Sequence, residues 1–236
     1  VSELNLEIPS DGLIGLIGPN GAGKTTVFNI ITGVYQPTSG DIQFDGQSIV
    51  GEKPYHICKR GIARTFQNIR LCRSLSVFQS VQISLIKSLN YGFAAAAFAW
   101  GKFQNEENAI RENILELLEI FHLADMVDKP ACSLPYGEQR RLEIVRALAT
   151  KPRLLLLDEP AAGTNPSEKI ALMKLIKDVK ERFSVAVLLI EHDMRVVMGI
   201  CERIVVLDYG ARIAEGTPDE IKRDPKVIEA YLGETV

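Results

Sequence analysis

Apolar residues along this chain follow two rhythms, and the change between them divides it. SELNLEI (2–8) alternates, with Leu4, Leu6 and Ile8 on one side, and a PSDG turn leads into LIGLIG, a continuous apolar run. Alternation predicts a half-buried strand, and an unbroken run predicts one buried on both faces. KTTVFNIITG (24–33) has helical spacing closed by Gly33, and PTSGDIQFDG (37–46) reads as turn, short strand and turn. From about Leu75 to Thr150 strand signals vanish. There ENAIRENILELLEIFHLADMV (107–127) places Ile110, Ile114, Leu117 and Leu118 on one helical face. Buried-strand runs return at RLLLLDEP (153–160), SVAVLLIEH (184–192) and RIVVLDYG (203–210), with helical segments between them. Strands alternating with helices predict an α/β fold on a largely parallel sheet, with a helical lobe inserted. TPDEIKRDPKVIEAYLGE (217–234), with Thr217 as cap and Pro218 at the first helical position, predicts one or two terminal helices.

Composition narrows the partners. With 46% apolar residues in 236, the chain can bury a sizeable core. Lys and Arg total 27 against 30 Asp and Glu, a net charge of -3, so no broad basic face points to nucleic acid. Cys58, Cys72, Cys132 and Cys201 show no metal-ligand or redox spacing and read as reduced thiols in a cytoplasm. The longest apolar run, YGFAAAAFAW (91–100), falls short of the roughly 20 residues that span a bilayer. No charged-then-apolar leader opens the chain, and its start at Val1 rather than Met leads us to expect upstream sequence.

Three segments carry chemistry. GPNGAGKTT (18–26) matches G-x-x-x-x-G-K-[ST] and lies between a buried strand and a helix, where a phosphate-binding loop belongs. Backbone N–H groups from Asn20, Gly21, Ala22, Gly23 and the helix start at Thr25 and Thr26 can curl around a phosphate. Lys24 supplies a point charge, and the Thr25 hydroxyl can ligate Mg2+. LLLLDEP ends a buried strand in Asp158, suited to the Mg2+ shell, and Glu159, suited to orient or deprotonate an attacking water. LPYGEQRRLEIVRALA (134–149) starts a helix at Pro135 to Gly137 whose first N–H groups lack intrahelical acceptors, an anion site in waiting.

These motifs occur together with Gln67 in ARTFQN, AAGTNP after Glu159, and His192 in LLIEHD, and in that order the chain resembles the ATP-binding cassette (ABC) ATPases. The resemblance implies a P-loop NTPase (RecA-like) core, an antiparallel β subdomain and an inserted α-helical subdomain. The expected boundaries are 1–71 and 151–216 for the core, 72–150 for the helical subdomain and 217–236 for C-terminal helices. It also implies ATP and Mg2+ as ligands, with Gln67 reaching Mg2+ beside Thr25 and Asp158, and His192 contacting the terminal phosphate. Pro135, Tyr136, Gly137 and Glu138 would cap ATP held by a second, head-to-tail ATPase chain. Pro135 and Tyr136 stand where the family usually has Ser and Gly, so backbone N–H groups and the Tyr136 phenol would replace a lost hydroxyl; Asn165 stands in the dimer loop where Asp is usual.

LPYGEQRRLEI, GIARTFQNIRL, LDEPAAGTNP, LLIEHDM and VIEAYLGE together resemble one branch, the LivG-type ATPase subunits of branched-chain amino-acid importers. That branch implies integral permease partners, a solute-binding protein acting indirectly, a peripheral place on the cytoplasmic face of the cell membrane, and no nucleic acid. The adenine-stacking strand of the family would precede Val1. YGFAAAAFAW reads as part of the helical lobe, with permease docking as the sharper alternative. Amide or urea import, lipopolysaccharide export and a soluble assembly scaffold stay open as alternatives. A chromosome-structure cassette is disfavoured, because only 66 residues without heptad arms separate Gln67 from Leu134.

Overall fold

The unbroken apolar runs form the strands of one sheet. A computed structural model describes residues 1–85 and 100–232 of the chain, and these group in two compact units: 1–67 with 152–232, and 68–85 with 100–151. In the first unit, β1 (Leu13–Ile17), β4 (Ile62–Arg64), β5 (Leu154–Asp158), β6 (Ala186–Ile190), β7 (Arg203–Asp208) and β8 (Ala211–Gly216) lie in the order β4-β5-β6-β1-β7-β8. All neighbours pair in parallel except β7 and β8. Every residue of β1, β5 and β6 is buried, the condition that an unbroken apolar run anticipates for a sheet covered on both faces. A separate antiparallel pair, β2 (Gln43–Phe44) and β3 (Gln47–Ser48), follows the turn read in PTSGDIQFDG.

The helices of this unit are α1 (Lys24–Ile31), α2 (Pro54–Arg60), α6 (Pro166–Phe183), α7 (Met194–Ile200), α8 (Pro218–Arg223) and α9 (Pro225–Leu232). The two terminal helices agree with the capping signal, since the Thr217 N–H and hydroxyl both donate to Glu220 Oε2. SELNLEI differs from expectation: it joins no sheet. Both edges of β1 are taken by β6 and β7, and Leu4, Leu6 and Ile8 instead pack, partly buried, against the core. Alternation reported a buried side correctly, but burial alone does not supply a strand to pair with.

The second unit holds α3 (Val77–Leu85), α4 (Trp100–Ile120) and α5 (Tyr136–Ala149). Its core includes Ile114, Leu118, Leu142 and Val145, all fully buried. The helix expected to run on to residue 127 stops sooner. His122 turns left-handed at φ 55, with His122 N–H donating to Glu119 O and Leu123 N–H to Leu118 O, the paired bonds of a Schellman stop. Most of YGFAAAAFAW lies outside the described residues. Among those described, no helix is long and apolar enough to cross a membrane.

Candidate functional site

Parallel strands of an open sheet deliver their carboxyl ends to one edge, and the loops there build sites. After β1 the chain turns through Gly18, Gly21 and Gly23 at φ 149, 78 and 100. A Cβ on Gly18 would lie 2.0 Å from Leu207 O, so only glycine fits. Gly23 caps α1 without a side chain, and no acid stands in the first turn, which leaves the Thr25 and Thr26 amides and the positive helix end to an anion. Lys24 is buried, its ammonium donating to Gly18 O at 2.6 Å and Pro19 O at 2.7 Å. Asn20, Gly21 and Thr25 are exposed, while Ala22 is buried and its carbonyl accepts from Gly210 N–H.

The register of β5 on β6 sets Asp158 opposite Ile190, so the residues that follow each strand meet. Glu159 takes a left-handed φ of 48, a conformation that costs a residue with a side chain about 1 kcal/mol or more. Both of its carboxylate oxygens are engaged. His192 Nε2 lies 2.6 Å from Oε1, and Gln67 Nε2 donates to Oε2 at 2.8 Å. Glu159, His192 and Gln67, three separated motifs of the sequence, therefore form one hydrogen-bonded cluster.

Asp158 sits in a different setting. It is 3% exposed, and Arg64 Nη2 donates to its Oδ2 at 2.7 Å. Arg64 also donates to Asn29 Oδ1 on α1, and its guanidinium lies over the rings of Phe28 and Phe66. The donor set suits a cation that arrives with phosphate: Mg2+ uses one or two protein oxygens and takes the rest from phosphates and water. The Thr25 hydroxyl and Asp158 Oδ1 fit that demand. Among the described residues no group of three or more His, Cys, Asp and Glu side chains is placed to hold a metal without a ligand's help.

In the second unit α5 begins at Tyr136 with Pro135 as N-cap and no side-chain cap, as the turn signal in LPYGEQ anticipates. Glu138 in the first turn is paired with Arg141 at 2.6 Å. Gln139 Nε2 donates to Leu134 O and Cys132 O, pinning the approach to the helix. The Tyr136 phenol accepts from Arg140 Nη2 at 2.7 Å and Nε at 3.1 Å, so its oxygen is turned along the helix to the buried Arg140. Asn165, back in the first unit, caps α6: its Oδ1 accepts from Glu168 N–H, and Glu168 Oε2 accepts from Asn165 N–H. Asp would cap equally well, so replacing Asp by Asn leaves this local work intact.

The family model for the ABC transporter matches residues 1–162. The chain belongs to that family. A second model, the branched-chain amino acid ATP-binding cassette transporter, matches residues 211–236. The high-affinity branched-chain amino acid transport ATP-binding protein BraF of Pseudomonas aeruginosa is 45% identical over 234 residues, 99% of this chain and 92% of BraF. The corresponding LivG protein of Escherichia coli K12 is 42% identical over the same shares of the two chains. In the crystal structure of the ADP conformation of MJ1267, an ATP-binding cassette of an ABC transporter, 90% of the chain superposes on 97% of this one with a TM-score of 0.82 and 28% identity. The cassette is accordingly a nucleotide-binding ATPase with a mostly parallel sheet, as the sequence leads one to expect.

Four residues of this cassette escape a motif reading. Arg64 stands three positions before Gln67 within ARTFQN, where the motif assigned a role to Gln67 alone. Glu191 follows the apolar run of β6 and is 4% exposed, an acid where burial is otherwise complete. Gln139 and Arg140 look like ordinary polar positions of a helix until the contacts to Leu134 and Tyr136 are seen.

Proposed function

We propose that this cassette is the ATP-hydrolysing subunit of an importer of branched-chain amino acids, driving partner permease chains from the cytoplasmic face of the membrane. The observation that carries the hydrolytic part is Glu159, held by His192 and Gln67 one residue beyond Asp158. The substrate class is supported by the family model over the C-terminal residues 211–236 and by BraF and LivG, whose names state that transport.

ATP enters with its phosphates over the 20–26 loop. Phosphate oxygens replace Gly18 O and Pro19 O as acceptors of the Lys24 ammonium, at low cost because one set of strong hydrogen bonds is exchanged for another. Thr25, Asp158 and Gln67 would hold Mg2+, which would neutralise charge on the outer phosphates. His192 leaves the Glu159 oxygen it now occupies and turns to the terminal phosphate, and Gln67 gives up the other. Glu159 then accepts a hydrogen bond from water and takes its proton as the water oxygen bonds to the terminal phosphorus. The bond from that phosphorus to the bridging oxygen breaks, leaving ADP and phosphate. Catalysis is mostly positioning and electrostatics, with Glu159 contributing about 100- to 10,000-fold.

Residues 135–138 cap the terminal phosphate on a second cassette, so two ATP molecules join two chains head to tail, with Asn165 in the loop between them. Permease chains receive the closing and opening of this pair; a solute-binding protein acts through them. The test is to tag Glu159→Gln, which stalls with ATP bound, extract it gently from membranes and identify what co-purifies. Two integral permease chains with a second ATPase chain, and loss of ATP-driven leucine uptake, are expected. Soluble partners alone would overturn the transport reading.

A further inference from the structure

We propose that Glu191 is the positioning residue that sets the geometry of Glu159 and His192 together; the inference rests on the hydrolytic reading above. Its side chain is buried beneath the site. Oε1 accepts the Ala161 N–H at 2.6 Å, and Oε2 accepts the His192 N–H at 3.2 Å. One carboxylate thus fastens the turn after β5 to the turn after β6. The first of these turns is the one that forces Glu159 into its left-handed backbone, with Ala162 N–H returning to Glu159 O. Such a conformation persists only where its surroundings over-determine it, and the bond from Ala161 to Glu191 supplies that restraint two residues from the strained one.

Burial pushes the Glu191 carboxyl above its usual range, opposed by the N–H groups of Ala161, Asp193 and His192, with the Glu159 charge adding to the rise. A carboxylate offers acceptors on both oxygens, whereas an amide of the same shape offers one oxygen and sets two N–H donors against an N–H donor. Both Glu191 carboxylate oxygens accept from backbone N–H groups of these turns, so Glu191 acts through Glu159 and His192.

The test is steady-state hydrolysis by the full chain carrying Glu191→Gln, Glu191→Asp, Glu159→Gln and the double change Glu159→Gln/Glu191→Gln. For Glu191→Gln, kcat falls about 10- to 100-fold while KM for ATP and the affinity for a fluorescent ATP analogue stay within about 2-fold. Glu191→Asp, which keeps both acceptors on a shorter arm, recovers part of that loss and carries the same test should Gln not fold at this position. In the Glu159→Gln background, adding Glu191→Gln lowers the residual rate by clearly less than it does in the wild type, because one of the two residues it positions is already gone. Parallel losses of kcat, nucleotide affinity and melting temperature, or full additivity in the double variant, would make Glu191 merely structural and overturn the inference. Wild-type hydrolysis by Glu159→Gln would overturn the hydrolytic reading itself, a distinct failure.

Discussion

Helices α1 and α5 both begin without a side-chain cap, yet what surrounds the two starts differs. The α1 start is reached through glycines at positive φ, has no acid in its first turn, and carries Lys24 beside the open amides. The α5 start follows Pro135, carries Glu138 in its first turn, and has that charge answered by Arg141. A bare helix end contributes about 0.3–1 kcal/mol to an anion, up to about 2 when partly buried. The α1 start adds a full charge to that sum, and the α5 start adds none. This difference supports the proposal that the first holds phosphate by itself and the second completes a phosphate held by another chain.

The sharpest way to break this comparison is to remove one contributor from each start. Lys24→Ala should weaken ATP binding by the single chain about 100-fold, since two or more charge-assisted bonds go at once. Gly137→Asp should leave single-chain affinity within about 2-fold while abolishing ATP-driven dimerisation of the Glu159→Gln variant. Fluorescent-nucleotide titration and size-exclusion chromatography read the two outcomes. Equal loss of single-chain binding in both variants would erase the distinction.

Next in size is Gly18→Ala, whose added Cβ meets Leu207 O at 2.0 Å. It should lower stability by about 3 kcal/mol in denaturant unfolding and drain ATP binding with it. Unchanged stability would mean that the loop before α1 is not held in the shape that exposes its amides.

Tyr136→Phe sharpens the other side. It deprives the buried Arg140 of its phenol acceptor and should cost about 1.5–3 kcal/mol of stability, with single-chain ATP affinity unaltered. If instead dimerisation weakens strongly and stability does not change, the phenol acts on phosphate and not on Arg140.

The smallest effect comes from a third helix start. Asn165→Ala removes the capping box of α6 and should cost about 1 kcal/mol by thermal unfolding, without altering nucleotide affinity. This capped start serves as the control for the two bare ones, because its amides are satisfied within the chain.

Much of the site was legible because its chemistry is local. Glycine spacing, Lys24 and the hydroxyl of Thr25 lie within one strand-loop-helix, and their order alone implies an anion cradle. Arg64 and Glu191 were illegible for the opposite reason. Each gains its role from a partner distant in the chain: Arg64 from Asp158 at the end of β5, 94 positions away, and Glu191 from Ala161 in the turn after β5, 30 away. SELNLEI shows the same limit in the fold, since its alternation says which side is covered and not whether a neighbouring strand has a vacant edge.

By itself the sequence determined which segments become buried strands and where α1, α5 and the terminal helices start, and it supplied the residues now proposed to bind phosphate and activate water, because backbone geometry and side-chain chemistry are properties of short stretches. Only the tertiary structure decided that Gln67, Glu159 and His192 share one hydrogen-bonded cluster and that Asp158 is answered by Arg64. The physical reason is the strand order β4-β5-β6-β1. It makes neighbours of strand ends that are distant in the chain, and pairing between non-consecutive strands is a cooperative outcome of burying the whole sheet.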